Sequence, residues 1–496
     1  MDEISRITEG PVEGHAGAMV GDGRSGDEGH GLAAGAVSLP QSIIFSVASS
    51  APGQATAVTI AGLVAASAYA GGVAVLITTL PMLAIAFAYH RLNMWSRDCG
   101  GSYMWVGKAI SPYVGFMVGW VMLTGYLLGT VADILPIGPA VLSFLGMAAD
   151  GVIPSLITVA VAGLLVIATA VVGVQVTARF QVIIASVEYV ILLAFCAIGI
   201  YKVYLVHAPG TMRPSWEWLS LNGVGGQGSL VAGMLITVYL FTGWDSALYL
   251  NEETERPESN PGRAAMMSVV ILGLFYALLQ FSLQGAAPAA DLQEHGGDAL
   301  TFLATSLVGE GWGKFMSVAV ILSVLGTTQA FLVSAARIAF SMGTDRVLPP
   351  AFGKLHQRYR TPVFATVLFG VVMIVATWVY VLSSSIAGAF DVVVSITGVL
   401  FALFYSATGI ATAVFYRKFA QQSAMNLLTT GVLPLAGAGA LGWVAIRSIM
   451  DFDSQALWSV LAVAALGVVM LVVSAVKYRP EFFRMPREAY EPTDAL

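Results

Sequence analysis

The feature that most constrains this chain is a series of apolar runs, each long enough to cross a lipid bilayer as a helix. A transmembrane helix needs about 20 mainly apolar residues. Runs of that length recur from residue 40 onward, and no lysine or arginine occurs between Lys108 and Arg179. The chain is 57% hydrophobic and 10% charged, whereas a soluble domain is about one quarter charged. The sequence therefore predicts an all-α membrane protein.

Twelve of these runs are predicted to span the membrane. Their approximate bounds are 40–64, 70–90, 112–135, 152–173, 179–206, 228–250, 264–286, 314–340, 362–383, 386–415, 426–448 and 455–477. The first 38 residues are Gly-rich and acidic, a composition typical of disorder. We therefore expect three regions: a disordered cytosolic tail over 1–38, a transmembrane domain over 39–478, and a cytosolic C-terminal tail over 479–496.

The distribution of basic residues predicts the orientation. An even number of spans places both termini on one side, and cytoplasmic loops retain Lys and Arg. With both termini in the cytosol, nineteen of the 23 basic residues lie inside. The four that lie outside are Lys202, Arg213, Lys314 and Arg447. We expect a multi-pass protein of the plasma membrane with both termini cytosolic.

Two of the predicted spans contain residues that interrupt helices. The first span reads SIIFSVASSAPGQATAVTIAGL, in which Pro52 lacks a backbone donor and Gly53 permits non-helical dihedrals. Ser49 and Ser50 precede them and can bond the freed backbone groups. The sixth span is interrupted near Thr242-Gly243 in YLFTGWDS. Ordinary kinks are the alternative for either break alone. Matched breaks five spans apart favour a binding site near the bilayer midplane.

The ends of interrupted helices carry complementary partial charges. A helix beginning after Ala51, Pro52 and Gly53 presents free N–H groups, which suit a carboxylate. The first half of the sixth span ends near Tyr239, Leu240 and Phe241 and presents free carbonyls, which suit an ammonium group. Together these ends describe a receptor for an α-amino acid. Tyr239, Phe241 and Trp244 are candidate apolar or stacking walls.

Three carboxylates fall within predicted spans, where a bare charge is costly and indicates function. Asp133 shares one face of the third span with Tyr126 and Thr130, at i, i+4 and i+7. Glu188 has no close basic partner in its own span and is therefore the candidate proton carrier. Asp245 follows the sixth-span break, where an amine or a proton needs negative charge. The alternatives are a helix-end position for Asp133 and a structural hydrogen bond for Glu188.

Hydroxyl groups in the eighth span, SVLGTTQAFLVSAAR, allow a second interpretation of ion coupling. Thr327 and Thr328, with Ser323 and Ser334, are candidate sodium ligands. Hydrogen bonding between helices is the favoured alternative. The loop NEETERPESNPGR, 251–263, is predicted to be a solvated cytosolic turn, with ion pairs that hold an inner gate as the alternative.

Other classes of protein are disfavoured by what the sequence lacks. Two cysteines, predicted to be free thiols, exclude a disulfide framework, and no two histidines stand at metal-ligand spacing. We therefore expect no metal, no cofactor and no nucleic-acid partner. A channel needs a repeated filter or a ring of charges. An enzyme needs clustered acids, histidines or a nucleophile. A sensor built on a transporter fold needs a long output domain, and only about 20 residues follow the last span.

Three stretches resemble the amino acid–polyamine–organocation permeases. They are DCGGSYMWVGKAISPYVGFMVGW (98–120), FTGWDSALYLNEETERP (241–257) and AARIAFSMGTDRVLPPAFGKLHQRYRTP (335–362). The resemblance runs from about residue 40 to 420. It implies twelve helices, ten of them in an inverted five-plus-five (LeuT-like) repeat followed by two C-terminal helices. It also implies secondary transport of amino acids or amines by alternating access.

The resemblance places substrate contacts on both breaks and on the third span. These contacts are Ser50, Ala51, Pro52, Gly53, Tyr126, Thr130, Asp133, Tyr239, Leu240, Phe241, Thr242 and Gly243. Two departures stand out, because SSAPG replaces the usual G-S-G element and Glu188 replaces a lysine of many proton-coupled members. We expect an amino acid as substrate, with a polyamine or other cationic amine as the alternative favoured by the nearby acids. The coupling ion is predicted to be a proton, with sodium as the alternative.

Overall fold

The structure is a computed structural model that describes residues 31–147, 151–219, 227–295, 299–383 and 386–490. These ranges are helical, and their one β-bridge joins Val37 to Thr254. The helices are α1 (Leu39–Ala48), α2 (Pro52–Ser67), α3 (Gly71–Trp95), α4 (Ser102–Ala109), α5 (Pro112–Ile134), α6 (Ile137–Phe144), α7 (Val152–Val172), α8 (Val174–Gly199), α9 (Gln227–Leu240), α10 (Asn260–Leu283), α11 (Ala289–His295), α12 (Ala299–Val308), α13 (Glu310–Thr344), α14 (Val363–Ser383), α15 (Ile386–Phe415), α16 (Arg417–Ala420), α17 (Ala424–Leu427), α18 (Leu433–Met450) and α19 (Ser454–Val473).

Eleven helical stretches within the described ranges are long and apolar enough to cross a membrane. Each coincides with one of the twelve predicted spans, which confirms the all-α membrane fold. The sixth predicted span is missing from this set because α9 ends at Leu240 after 14 residues. The number twelve therefore stays a prediction.

The interrupted first span lies at the centre of the bundle. In the stretch Leu39–Ser67, 83% of the most apolar window is buried within the protein, against 11% for Ser454–Tyr478. Helix α1 packs against α8, α10 and α13, and α2 packs against α9 and α13. The last span is therefore peripheral, whereas the break between α1 and α2 is enclosed by α8, α9, α10 and α13.

The segment after the sixth-span break is fixed to α13 by a buried ion pair. Glu253 and Arg337 have side chains that are 0% and 2% exposed, and the Nε of Arg337 lies 2.5 Å from the carboxylate. A second bond joins Nη2 of Arg337 to Oε1 of Glu253 at 3.0 Å. The prediction of a solvated turn is wrong at Glu253, although Glu255 and Arg256 are exposed. Sequence reasoning missed the pair because its members are 84 residues apart.

Both ends of the described chain pack against the helix bundle. The predicted disorder over 1–30 lies outside the described residues. Within 31–38, Leu32 packs against Cys99, which is a free thiol as predicted. The N–H of Val37 donates to the carbonyl of Glu253 at 3.0 Å, so this stretch also contacts the segment that follows the sixth-span break. At the C-terminal end, the ring of Phe482 stacks on Tyr103 with centroids 4.7 Å apart.

Candidate functional site

The first break separates α1 from α2 at residues Ser49 to Ala51. Ala51 has a φ of +47°, a left-handed conformation uncommon for a residue other than glycine, and Pro52 then begins α2. The Oγ1 of Thr327 donates to the carbonyl of Ala48 at 2.9 Å, and the hydroxyl of Tyr276 donates to the carbonyl of Ser50 at 2.5 Å. Side chains of α13 and α10 therefore bond carbonyls that the interrupted helix leaves free.

The second break follows α9. The helix ends at Leu240, Gly243 has a φ of +90°, and a 3-10 helix runs from Ser246 to Glu253. The last turn tightens, because Phe241 N–H donates to Val238 O at 3.1 Å and Thr242 N–H to Tyr239 O at 3.0 Å. Both interruptions predicted from the sequence are therefore present in the fold.

The two breaks touch each other. The hydroxyl oxygens of Ser49 and Ser246 are 2.6 Å apart, and the N–H of Ala247 donates to the hydroxyl of Ser46 at 2.9 Å. At Gly243, a Cβ would lie 2.6 Å from the carbonyl oxygen of Ser49. Only glycine permits both this close approach and the positive φ.

A small cavity, too narrow in this conformation to admit a water molecule, lies between the two breaks. It is lined by Ser49, Ser50, Ala51, Gln54, Ala55, Asp133, Tyr239, Thr242 and Thr327. None of these side chains is more than 8% exposed, so the cavity is closed to solvent. The Oγ of Ser50, the Oδ2 of Asp133 and the carboxamide of Gln54 are buried without a hydrogen-bond partner among the described residues. Unpaired buried polar groups are costly, which makes this cavity a candidate binding site.

Seven of the residues predicted to form the site line this cavity: Ser49, Ser50, Ala51, Asp133, Tyr239, Thr242 and Thr327. Sequence reasoning missed Gln54 and Ala55. Both lie in the first turn of α2, directly after Pro52-Gly53, so a polar glutamine beside the predicted break was the available signal.

The other predicted residues lie around the cavity and do not line it. Thr130 donates its hydroxyl to Leu127 O of its own helix at 2.7 Å. The ring of Phe241 packs edge-on against Tyr276 at 5.9 Å, and that of Trp244 lies 5.2 Å from Tyr405. The remaining members of this group are Pro52, Gly53, Tyr126, Glu188, Leu240, Gly243, Asp245 and Thr328, all buried.

Asp245 is enclosed by three tyrosines. Its Oδ1 accepts hydrogen bonds from the hydroxyls of Tyr126 at 2.8 Å and Tyr405 at 2.7 Å, and its Oδ2 accepts one from Tyr249. The tyrosines come from α5, from the 3-10 helix after the second break, and from α15. Asp245 thus joins three elements in this conformation, and direct contact of its carboxylate with a ligand in the cavity stays a prediction.

Glu188 contacts the backbone of the first break. The N–H of Gly53 donates to its Oε1 at 3.0 Å and also to the Oγ of Ser323 at 3.1 Å. A Cβ placed on Gly53 would lie 3.2 Å from that carboxylate oxygen, so the two groups are in direct contact. Glu188 therefore connects α8 to the first turn of α2, immediately behind the cavity wall.

The hydroxyls of the eighth span divide between two situations. Thr327 donates to Ala48 O of α1, a bond between helices as the favoured alternative expects, and Ser334 donates to Ala330 O of its own helix at 2.8 Å. The Oγ1 of Thr328 is buried without a partner among the described residues. Sodium binding by Thr327 and Thr328 stays a prediction.

Comparison with known proteins places this geometry in context. A family model described as "Amino acid permease" matches residues 39–475. A low-affinity putrescine importer of Escherichia coli (strain K12) is 26% identical over 301 residues, which cover 60% of this chain and 64% of the relative. A branched-chain amino acid permease of Bacillus subtilis (strain 168) is 24% identical over 315 residues, covering 59% and 64%. A methylthioribose transporter of the same organism is 24% identical over 301 residues, covering 58% and 62%. The chain spans less than two thirds of the length of each of these relatives.

A single methyl group at Gly243 tests whether the second break is required. We expect Gly243→Ala to lower the melting temperature of the detergent-purified protein, because overpacking at such a contact costs about 1–3 kcal/mol. Gly439→Ala is the matched control, since nothing lies within 4 Å of a Cβ at that position. Equal melting temperatures for the two variants would show that the close approach of Gly243 to Ser49 is dispensable.

Proposed function

Because the chain belongs to the amino acid permease family, we propose that it is a secondary active transporter for a small solute that carries an amine. The solute is an amino acid or a polyamine, and it binds in the cavity between the two broken spans. The observation that carries the proposal is the closed cavity with an unpaired carboxylate oxygen of Asp133 at its wall. The names of the relatives, a putrescine importer and a branched-chain amino acid permease, fit both kinds of solute.

The cavity has the chemistry of a receptor for an ammonium group. Its lining includes Asp133 and no lysine or arginine. Helix α9 ends at Leu240, beside the lining residues Tyr239 and Thr242, so its negative dipole end faces this region. An ammonium group bound here would pair with Asp133 and satisfy neighbouring oxygens that lack partners.

The closed conformation suggests which contacts separate during transport. The cavity walls are buried, so a solute enters or leaves only when helices move apart. After the second break, the bonds of Asp245 to three tyrosines and the Arg337–Glu253 pair fix the segment 245–253 to the neighbouring helices. Glu253 in turn bonds Val37. Opening on that side requires these bonds to break or to move as a unit. Alternating access then consists of opening the two sides in turn.

We propose the orientation that the distribution of basic residues predicts. With the termini in the cytosol, the Arg337–Glu253 pair belongs to the cytosolic half of the protein, near the N-terminal stretch 31–38. The proposed location is the plasma membrane, and the proposal covers uptake and exchange alike.

Removal of the charge of Asp133 tests the proposed receptor. A thermal-shift screen of the purified protein against amino acids and polyamines first identifies the ligand that stabilises it most. We expect Asp133→Asn to weaken the binding of that ligand at least tenfold, because a hydrogen bond to a charged group contributes about 1.5–3 kcal/mol. Asp451→Asn removes an exposed carboxylate at the end of α18 and should leave the affinity unchanged. Equal affinities for both variants would refute the role of Asp133.

We also propose that a proton drives transport and that Glu188 carries it. Glu188 is 1% exposed and directly bonded to Gly53 in the first turn of α2. Gain or loss of its proton changes the charge at the positive end of that half-helix. The protonation state of Glu188 is thereby linked to the stability of α2 in its present position.

Glutamine at position 188 tests the coupling, since it keeps the carbonyl acceptor for Gly53 and cannot be ionised. In proteoliposomes with an imposed pH gradient, we expect the wild-type protein to accelerate uptake with external acidification. Glu188→Gln should retain uptake at a rate that no longer depends on pH. A wild-type pH profile in the variant would exclude Glu188 as the proton carrier.

A further inference from the structure

The geometry of the first break points to a substrate without a carboxylate: we infer that the site takes a primary alkyl amine or diamine, and that Glu188 occupies the place of a substrate carboxylate. The inference rests on the proposed function and narrows its substrate class. It departs from the expectation that the start of α2 receives the carboxylate of an α-amino acid.

The start of α2 has few backbone donors to offer an anion. The N–H of Ala51 donates to Ala48 O at 3.1 Å, and Pro52 has no N–H. The N–H of Gly53 is taken by Glu188 and Ser323, and that of Ala55 donates to Ala51 O at 2.7 Å. At most one donor of this turn, the N–H of Gln54, is left. A helix N-terminus binds an anion through several free N–H groups together, and this one lacks them.

The position behind this turn is already filled by a carboxyl group. Oε1 of Glu188 lies 3.0 Å from the nitrogen of Gly53, and a Cβ on Gly53 would lie only 3.2 Å from it. The carboxylate of a bound amino acid would add a negative charge to a cavity whose wall already carries Asp133. Like charges that share a buried site are strongly unfavourable. The lining offers no basic side chain to offset them.

The unpaired groups at the cavity wall suit a cation. They include Oδ2 of Asp133, Oγ of Ser50 and Oε1 of Gln54, each of which accepts a hydrogen bond, and one donor, Nε2 of Gln54. All three side chains are at least nine-tenths buried, with exposures of 4%, 4% and 0%. An ammonium group has three donors and no acceptor. Its three donors therefore match these three oxygens, whereas the carboxylate of a zwitterion would meet no basic side chain among the lining residues.

The test uses pairs of compounds that differ only by the α-carboxylate. The pairs are cadaverine with lysine, putrescine with ornithine, and agmatine with arginine. Dissociation constants are measured by isothermal titration calorimetry on the full-length protein purified in detergent. We expect the amine in at least one pair to bind tenfold or more tightly than its amino acid, and no pair to show the reverse preference.

A variant at position 188 links this preference to the structure. Glu188→Ala removes the charge and one of the two acceptors of the Gly53 N–H, so the preference for amine over amino acid should fall at least threefold. Retained binding of the amine shows that the variant is folded, and Asp451→Asn controls for loss of a carboxylate elsewhere. Should the variant not fold, the wild-type comparison decides alone.

The outcomes separate the two proposals. Wild-type protein that shows a tenfold preference for the amine in none of the three pairs, or a preference for the amino acid in any pair, overturns the inference and leaves the transporter intact. Binding of a neutral amino acid such as leucine in preference to every amine has the same consequence. A protein that binds no member of any pair, binds no other amino acid and moves none into proteoliposomes contradicts the proposed function as well.

Discussion

Backbone groups in the interior of a membrane must be hydrogen-bonded within the protein, and this requirement governs the whole arrangement. Helix α1 ends at Ala48 and α9 ends at Leu240, each within a predicted span. Their free carbonyls and N–H groups are bonded by Tyr276, Thr327, Ser46 and residues of their own tightened turns. Two breaks placed against each other at the centre of the bundle thus form a polar core that lipid does not reach.

The three buried acids of the core have three different environments. Asp245 is bonded by three tyrosine hydroxyls and holds elements together. Glu188 accepts the N–H of Gly53, at the positive end of α2. Asp133 alone faces the cavity with an unpaired oxygen. The different roles proposed for these three acids therefore depend on their positions and hydrogen-bond partners. Asp245 supports the structure, Glu188 is the proposed proton carrier, and Asp133 is the proposed substrate ligand.

The sequence predicted the features that depend on local pattern. Apolar run length located eleven spans, and the Pro52-Gly53 and Thr242-Gly243 pairs located both breaks. Features that depend on distant partners were missed, because Tyr405 lies 160 residues from Asp245 and Arg337 lies 84 residues from Glu253. The scarcity of free N–H groups at the start of α2 could not be predicted either, because Gly53 and its acceptor Glu188 are 135 residues apart.

The most direct measurement is an experimental structure of the purified protein, determined by electron cryo-microscopy with putrescine or another bound ligand from the matched pairs. The account predicts ligand density between Ser50, Gln54 and Tyr239, with an ammonium nitrogen within hydrogen-bond distance of the Asp133 carboxylate. It also predicts that the first span is broken after Ala48 and the sixth after Leu240. Ligand density elsewhere in the protein, or a first span that runs unbroken through Pro52, would contradict it.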